Sequence, residues 1–426
     1  MGAAHIEHSF FPWEETNLHR LHWEGDKMFV MAEVATLLFE ESPVMFAKFL
    51  RANQYPRKHT VERSVVDKCA ALGISGETSS GGSVGVTLLP ATTVEACLFD
   101  RRRNDLVKPF KLSLLNLASQ EAERHIAAGH FELALPVALD VVRRGQDIYP
   151  PKPKAPPAVE LFPAYLLAAE ANAGVGRANA AEDFLGLARW LALGNPELVG
   201  DEALARMHEL FGDLRSSQRR MDEAAAAFAE ETYHRASAHG PEDVRTTFGY
   251  LRLARCFENT GDHGKCVAFC RTVCDVWLEA TVASNLGAAL GEGVKRTLAT
   301  TPLNAPLPLR KKQTLEGVDE LMWARNVLMR GDSRGDGSVG DAVCAADASL
   351  AAGCALLGLV ATGGSDAAAT LARATTLVEE ALGEYPAAET ERVGLAERAL
   401  AAAAAAMDGV VDGDGRSRRT SISNVR

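Results

Sequence analysis

Histidine pairs near the N-terminus are the first residues whose spacing suggests metal chemistry. His5 with His8, and His19 with His22, are two His-x-x-His pairs. Two histidines three apart can share one helical face and bind zinc, but a zinc site needs a third and a fourth ligand. Pro12 also makes one continuous helix through both pairs unfavourable. We therefore interpret these histidines as surface or packing residues and predict no bound metal.

A second set of potential ligands lies among the eight cysteines. Cys266, Cys270 and Cys274 recur every four residues, and along a helix they would span about 12 Å, which is too far for one tetrahedral ion. Free cysteine packs as a small apolar residue, so we predict that these three lie in a core. The sequence shows no C-x-x-C pair and no secretory signal, so we expect free thiols rather than a disulfide framework.

A glycine pattern in the C-terminal half resembles a nucleotide-binding motif. Gly335, Gly337 and Gly340 satisfy G-x-G-x-x-G, but a dinucleotide site requires a strand before the glycines. Here a helical pattern ending at Arg330 precedes them. No nucleophile and base pair is apparent either. We predict that the chain is not an enzyme, binds no cofactor and has no small-molecule substrate.

Repeated helical hairpins are the elements that position the remaining residues. Residues 159–191 have the pattern of two helices separated by a turn at Gly176, with small residues at Ala169 and Ala181 where the helices would approach closely. The same offsets recur around turns at Gly129, Arg219 and Gly261. One hairpin cannot bury its own apolar face, so copies are expected to stack. The pattern resembles the tetratricopeptide repeat, although the spacings of 47, 43 and 42 residues exceed its usual length of about 34.

We therefore predict an all-α fold, a tetratricopeptide-like solenoid of antiparallel helix pairs with a divergent N-terminal extension. The predicted segments are an N-terminal extension or cap with a partner-binding arm (1–107), an array of four hairpins (108–301), a linker with one helix and a glycine-rich loop (302–344), a C-terminal helical hairpin with a capping helix (345–408) and a disordered basic tail (409–426).

The N-terminal extension does not follow the repeat. Four aromatic residues near its start fit either a cap over the first repeat or an arm that anchors a partner; they are Phe10, Phe11, Trp13 and Trp23. Further on, residues 28–50 have a helical pattern broken at Pro43, and residues 61–72 have another. The glycine and serine content of residues 73–85 predicts a flexible surface loop, and residues 86–89 suggest a short extended piece.

Charge and hydropathy exclude some classes of partner. The net charge of −11 argues against a general nucleic-acid binder, because phosphate contacts need clustered lysine and arginine. No uninterrupted apolar run reaches the roughly 18 residues typical of a membrane span. We predict protein partners, with no nucleic acid and no membrane.

Four pieces of the sequence go beyond a generic repeat. They are G-H-F-E-L-A-L-P-V-A-L (129–139), V-E-L-F-P-A-Y-L-L-A-A-E-A (159–171), A-E-D-F-L (181–185) and P-E-D-V-R-T-T-F-G-Y-L-R-L-A (241–254). They closely resemble the tetratricopeptide region of the zinc-finger MYND-domain-containing protein twelve family of motile cilia. The resemblance extends over about residues 110–280, and more loosely over 345–405. A MYND finger needs several closely spaced cysteines, whereas only Cys69 and Cys97 precede the repeats, so the zinc-dependent roles of the family are not implied here.

The resemblance implies a structural scaffold of the ciliary or flagellar axoneme. Its implied partners are inner-arm dynein or its tether and a second tetratricopeptide-repeat protein, number twenty-nine of that series. The implied location is the axoneme, with a cytoplasmic pool before assembly. Repeat arrays bind proteins through a concave groove, so we expect the first helices of the hairpins to carry the binding residues, namely Tyr165, Asn172, Arg206, Arg215, Arg245, Arg252 and Arg255.

One alternative remains open at this point. A soluble cytosolic tetratricopeptide adaptor or co-chaperone would bind acidic peptide tails through lysine and asparagine at fixed positions of the first helices, because placed charges set such specificity. Of the residues in those positions, only Asn172 has the required side chain.

Overall fold

The structure, a computed structural model, describes residues 7–13, 16–23, 26–39, 42–60, 63–71, 77–78, 84–101, 104–150, 158–283, 311–332, 339–361, 367–386 and 388–411. These residues are predominantly helical and form antiparallel helix pairs, which confirms the predicted fold class. The chain divides into two compact units, unit 1 (Met1–Gly194) and unit 2 (Asn195–Arg426).

Unit 1 begins with an antiparallel sheet that the sequence did not predict. Its strands are β1 (Glu7–Trp13), β2 (Thr16–Trp23), β3 (Asp26–Val30), β4 (Lys58–Thr60), β5 (Glu77–Thr78) and β6 (Val84–Pro90). Their order is β1-β2-β3-β6-β4, and β5 also pairs with β6. The accompanying helices are α1 (Met31–Glu33), which continues into a π-helical turn (Val34–Leu38), α2 (Pro43–Ala52), α3 (Arg63–Ala71) and α4 (Ala91–Asp100).

The sheet corrects two predictions about the extension. Residues 28–30 form β3 rather than the start of a helix. Met28 and Val30 belong to one buried cluster and Phe29 to another, so β3 is covered on both faces and looks like a plain apolar run in sequence. The predicted loop at 73–85 contains β5 and the start of β6, because backbone pairing there does not depend on apolar side chains. The helix expected over 61–72 and the extended piece at 86–89 are confirmed as α3 and β6.

Long helices make up the rest of both units. Unit 1 contains α5 (Asn104–Ala127), α6 (Phe131–Ile148), a 3-10 turn (Val159–Leu161), α7 (Phe162–Gly174) and α8 (Ala178–Gly194). Unit 2 contains α9 (Asp201–Ser217), α10 (Met221–His239), α11 (Val244–Thr260), α12 (His263–Leu278) with a π-helical turn (Glu279–Ala283), α13 (Lys311–Asp332), α14 (Val339–Ala361), α15 (Ala367–Glu384) and α16 (Thr390–Val411).

The predicted segment boundaries differ from these elements in three places. The boundary after residue 107 falls inside α5, and the boundary after residue 344 falls inside α14. Helix α13 lies in the predicted linker, yet it contributes Val318, Leu321 and Leu328 to the main core of unit 2, so this helix belongs to the packed array. Most of the predicted tail, residues 412–426, lies outside the described residues.

All four predicted hairpin turns have the same backbone geometry. Gly129, Gly176, Arg219 and Gly261 have φ values of 74°, 85°, 63° and 83°. At each turn the amide of this residue donates to the carbonyl three residues before it, and the next amide donates to the carbonyl five residues before it, at 2.8–3.2 Å. This bond pair is the Schellman motif, which ends a helix with a left-handed residue. The repeat register read from the sequence is therefore confirmed at every turn.

The predicted core cysteines are also confirmed. Cys266, Cys270 and Cys274 are each 0–1% exposed in the main core of unit 2. Trp277 lies one turn further along α12, fully buried, and its Nε1 donates to Thr247 Oγ1 at 2.9 Å. Helix α12 is thus a central element of this core.

The most apolar helix of unit 2 is α14. Among the described residues, its stretch Ala342–Val360 is long and apolar enough to cross a membrane, with a mean hydropathy of 1.9. However, 83% of this stretch is buried inside the protein. Because the core helix of a globular protein has the same composition, this stretch is weak evidence for a membrane span.

Candidate functional site

The structure buries two of the predicted groove residues. Tyr165 and Asn172 on α7 are 7% and 2% exposed. The ring of Tyr165 packs against Phe184 at 6.2 Å between centroids, and the amide of Asn172 donates to the carbonyl of Ala168 at 2.7 Å. This corrects the prediction that their side chains face a groove, because this side of α7 faces its own partner helix α8. Since the Asn172 amide is held inside the helix, it does not provide the amide of a carboxylate clamp.

Two of the predicted arginines meet at one buried carboxylate in unit 2. Glu209 on α9 is 6% exposed. Its Oε1 accepts from Arg252 at 2.5 Å and from Arg206 at 2.8 Å. Its Oε2 accepts from Arg235 on α10 at 2.8 Å. One carboxylate therefore connects α9, α10 and α11.

A second buried carboxylate completes this network. Glu231 on α10 is fully buried, and its Oε1 accepts from Arg235 at 2.8 Å and from Arg252 at 2.7 Å. Its Oε2 has no hydrogen-bond partner among the described residues. The network of Arg206, Glu209, Glu231, Arg235 and Arg252, which we call the buried charge network, pairs three cations with two anions.

The pKa values of the two carboxylates shift in opposite directions. Burial by itself would raise the pKa of Glu209, but the charges of Arg252, Arg206 and Arg235 outweigh it and lower the pKa to about 2. Burial raises the pKa of Glu231 to about 7; the charge of Arg252 opposes this shift and the charge of Glu209 adds to it. Because Arg252 pairs with both carboxylates, it joins α11 to α9 and α10.

The other three predicted arginines also have acidic or polar partners within unit 2. Arg215 lies 3.4 Å from a carboxylate oxygen of Glu223, and Arg245 donates to Asp243 at 2.8 Å, two residues before it. Arg255 on α11 donates to Glu320 on α13 at 2.7 Å, and its guanidinium lies 4.5 Å from the ring centre of Trp323. Of the five arginines, the structure thus joins Arg206 and Arg252 in one network and gives the other three separate partners.

The predicted N-terminal anchors lie in the sheet. Phe10, Phe11 and Trp13 belong to β1, and Trp23 ends β2. Their side chains lie outside the described part of the chain, so the structure gives their strand positions alone.

Sequence reasoning missed a row of exposed apolar side chains on α8. Leu187, Trp190 and Leu193 are 40%, 58% and 73% exposed. They recur every three residues, on the side of α8 away from the buried Ala181 and Leu185. We call Leu187, Trp190 and Leu193 the α8 surface.

The repeat register contains a signal for this surface. Trp190 comes fourteen residues after the turn at Gly176, and Tyr233 comes fourteen residues after the turn at Arg219. Tyr233 is 65% exposed. Both aromatic side chains therefore occupy the same outward position of a second helix, and comparison of the repeats would have identified them.

Comparison with known proteins adds little to this picture. No protein-family model matches the chain. Among solved structures, the chain is similar to BtubC (BKLC) from P. vanneervenii, with 14% sequence identity over 76% of this chain and 92% of that chain and a TM-score of 0.35.

Proposed function

We propose that this protein is a non-enzymatic scaffold of the axoneme of motile cilia, which helps to dock or tether inner dynein arms on doublet microtubules. The ciliary setting is supported by the sequence resemblance over residues 129–139, 159–171, 181–185 and 241–254. The proposed partners are inner-arm dynein or its tether and a second tetratricopeptide-repeat protein. The proposed location is the axoneme, and the protein forms a cytoplasmic pool before it is assembled there.

The α8 surface is the observation that carries the proposal of a protein-binding role. Tryptophan is enriched among the residues that dominate binding energy at protein interfaces. A large apolar side chain that remains mostly exposed gains free energy when a partner covers it. Asp183 lies one turn before Leu187 and the exposed Arg189 lies one turn before Leu193, so the two flanking charges balance and an uncharged partner surface suits it best.

The buried charge network supports the same function in a different way. Arg235 and Arg252 join three helices of unit 2 through Glu209 and Glu231, so we assign the network a role in the rigidity of the array. A rigid array keeps its binding surfaces in place before a partner arrives, which reduces the entropy lost on binding. We therefore assign the proposed contact with dynein to the α8 surface, and not to the arginines that were predicted to line a groove.

A binding assay with axonemal extract tests this proposal. The immobilised protein would be incubated with the high-salt extract of ciliary axonemes, and retained inner-arm dynein heavy chains would be quantified by mass spectrometry. We expect Trp190→Ala to reduce their recovery at least tenfold, because hot-spot residues contribute about 2 kcal/mol or more.

Leu139→Ala provides the matched control. Leu139 is a 40% exposed apolar residue of unit 1 that lies on a different helix, α6. We expect this variant to recover as much dynein as the unchanged protein. Equal recovery by Trp190→Ala and the unchanged protein would contradict a binding role for the α8 surface.

A further inference from the structure

A groove of about 410 Å³, open to solvent, lies between helices α4 and α5 of unit 1. The proposed function does not use it. Helix α4 lines it with five side chains at successive spacings of three, one, three and one residues, which all lie on one face of the helix. Helix α5 lines the other side with two residues one turn apart. The lining residues are Thr92, Glu95, Ala96, Phe99, Asp100, Val107 and Lys111.

The groove has an apolar wall with an exposed aromatic ring. Phe99 is 70% exposed, although it lies one turn after the half-buried Ala96. Val107 faces it from α5 and is also half-buried. Large apolar side chains exposed in a groove are typical of ligand and partner sites.

The charged side chains that line the groove, Glu95, Asp100 and Lys111, sum to one negative charge. Lys111 lies 2.8 Å from a carboxylate oxygen of Glu95, so these two charges balance each other. Asp100 is exposed and accepts a hydrogen bond from the hydroxyl of Tyr55. Burial and this carboxylate raise the pKa of Tyr55 to about 12, so the phenol stays protonated and donates. The charge of Asp100 therefore faces solvent beside the Phe99 ring with no cation of the lining to balance it.

The chain already shows how such rings bind cations. In the same unit, the guanidinium of Arg101 lies 3.9 Å from the ring centre of Phe49, and the ammonium of Lys108 lies 5.1 Å from that of Tyr149. A cation above an aromatic face is attracted by the ring quadrupole. Phe99 offers the same chemistry, with a carboxylate next to it and an open face.

We propose that the α4–α5 groove binds a short segment of a partner protein in which an arginine stands beside a bulky apolar residue. The apolar side chain lies between Ala96 and Val107, and the arginine stacks on Phe99 and pairs with Asp100. Arginine suits this position because its planar guanidinium both stacks and donates to carboxylates. This site is separate from the α8 surface, so it does not depend on the proposed dynein contact.

Two synthetic peptides test the proposal on the full chain. One is a fluorescein-labelled amphipathic peptide of leucine and arginine, and the other has glutamate in place of each arginine. Fluorescence anisotropy gives the affinity of each. We expect binding of the arginine peptide, and a loss of about five- to tenfold with Phe99→Ala, which removes the cation–π and apolar contacts. Asp100→Asn is expected to lower the affinity for the arginine peptide about fivefold, because it removes the negative charge that pairs with the arginine.

Leu133→Ala is the matched control, because Leu133 is a 57% exposed apolar residue of unit 1 outside the groove. Unchanged affinity in this variant, together with losses in Phe99→Ala and Asp100→Asn, would support the groove. The proposal is overturned if the glutamate peptide binds as tightly as the arginine peptide, if Phe99→Ala has no effect, or if Leu133→Ala loses as much affinity as Phe99→Ala. Circular dichroism of each variant would confirm that the fold is intact.

Discussion

Arg219 is the one turn residue of the four that is not glycine, and it predicts a stabilising substitution. Its φ of 63° places it in the left-handed region, where a side chain at Cβ crowds the following carbonyl. The equivalent Gly129, Gly176 and Gly261 avoid this crowding because they have no Cβ. We therefore expect Arg219→Gly to stabilise unit 2.

The magnitude follows from two opposing terms. Relief of left-handed strain contributes about 1–2 kcal/mol, while the greater freedom of glycine in the unfolded chain costs about 0.5–1 kcal/mol. The expected net gain in the free energy of unfolding is therefore about 0–1.5 kcal/mol, with a central value of about 0.75 kcal/mol. The reciprocal change, Gly176→Ala, should destabilise unit 1 by about 1 kcal/mol. A Cβ at Gly176 would meet no heavy atom within 4 Å, so this loss comes from the backbone alone.

Urea unfolding followed by circular dichroism measures both effects. Arg219→Ala serves as the control, because it removes the long side chain but keeps the Cβ in the left-handed region. Its midpoint should remain close to that of the unchanged protein. A lower midpoint for Arg219→Gly, or an equal gain in Arg219→Ala, would refute the argument from backbone strain.

Three further substitutions test the packing and electrostatics of unit 2. Burial raises the pKa of Glu231 on folding, so the folded state binds more protons than the unfolded chain and stability falls as pH rises from the ordinary glutamate pKa through the raised one. Urea unfolding of Glu231→Gln at several pH values should lack this slope, and an unchanged slope would contradict the assignment. Gly212→Ala would place a Cβ 2.2 Å from the ring of Phe228, so we expect a loss of about 1–3 kcal/mol from overpacking, and an unchanged urea midpoint would show that the ring has room to move. Trp277→Phe removes the hydrogen bond to Thr247 and leaves a cavity, so thermal unfolding should show a loss of about 1–3 kcal/mol, whereas an unaltered melting temperature would contradict the central place of this side chain.

The parts of the fold that the sequence predicted are those encoded locally. Three of the four hairpin turns combine a glycine with small and large residues at fixed offsets, and these offsets are visible within about 40 residues of sequence. Arg219 could be placed in the register despite its type because its neighbours kept the pattern. The core cysteines were predictable for the same reason, since Cys266 and Cys270 occupy positions held by alanine in an earlier repeat.

The sheet of unit 1 could not be predicted in the same way. Strand β3 is buried on both faces, so its sequence does not alternate between apolar and polar residues. Strand β6 pairs with β5 at Val84 and Gly85, next to a stretch of glycine and serine, and with β4 at residues 86–88. Periodicity in a single sequence contains no information about which distant strands will pair.

The partners of the charged residues were also beyond the sequence. Arg252 is bonded to Glu231, 21 residues away, and to Glu209, 43 residues away. Such pairs depend on how three helices pack, so a first-helix arginine has the same sequence pattern whether it faces a partner protein or a buried carboxylate. Exposure of Trp190 was likewise decided by packing, although its equivalence to Tyr233 was visible in the repeat register.

Salt fractionation of axonemes tests the central proposal most directly. Cilia from a source that expresses this protein would be extracted first with detergent and then with increasing salt, and each fraction would be probed for this chain and for inner-arm dynein heavy chains. The scaffold proposal predicts that the protein stays with the doublet microtubules through detergent and leaves with inner-arm dyneins at high salt. Release of the protein with the detergent-soluble matrix would contradict it.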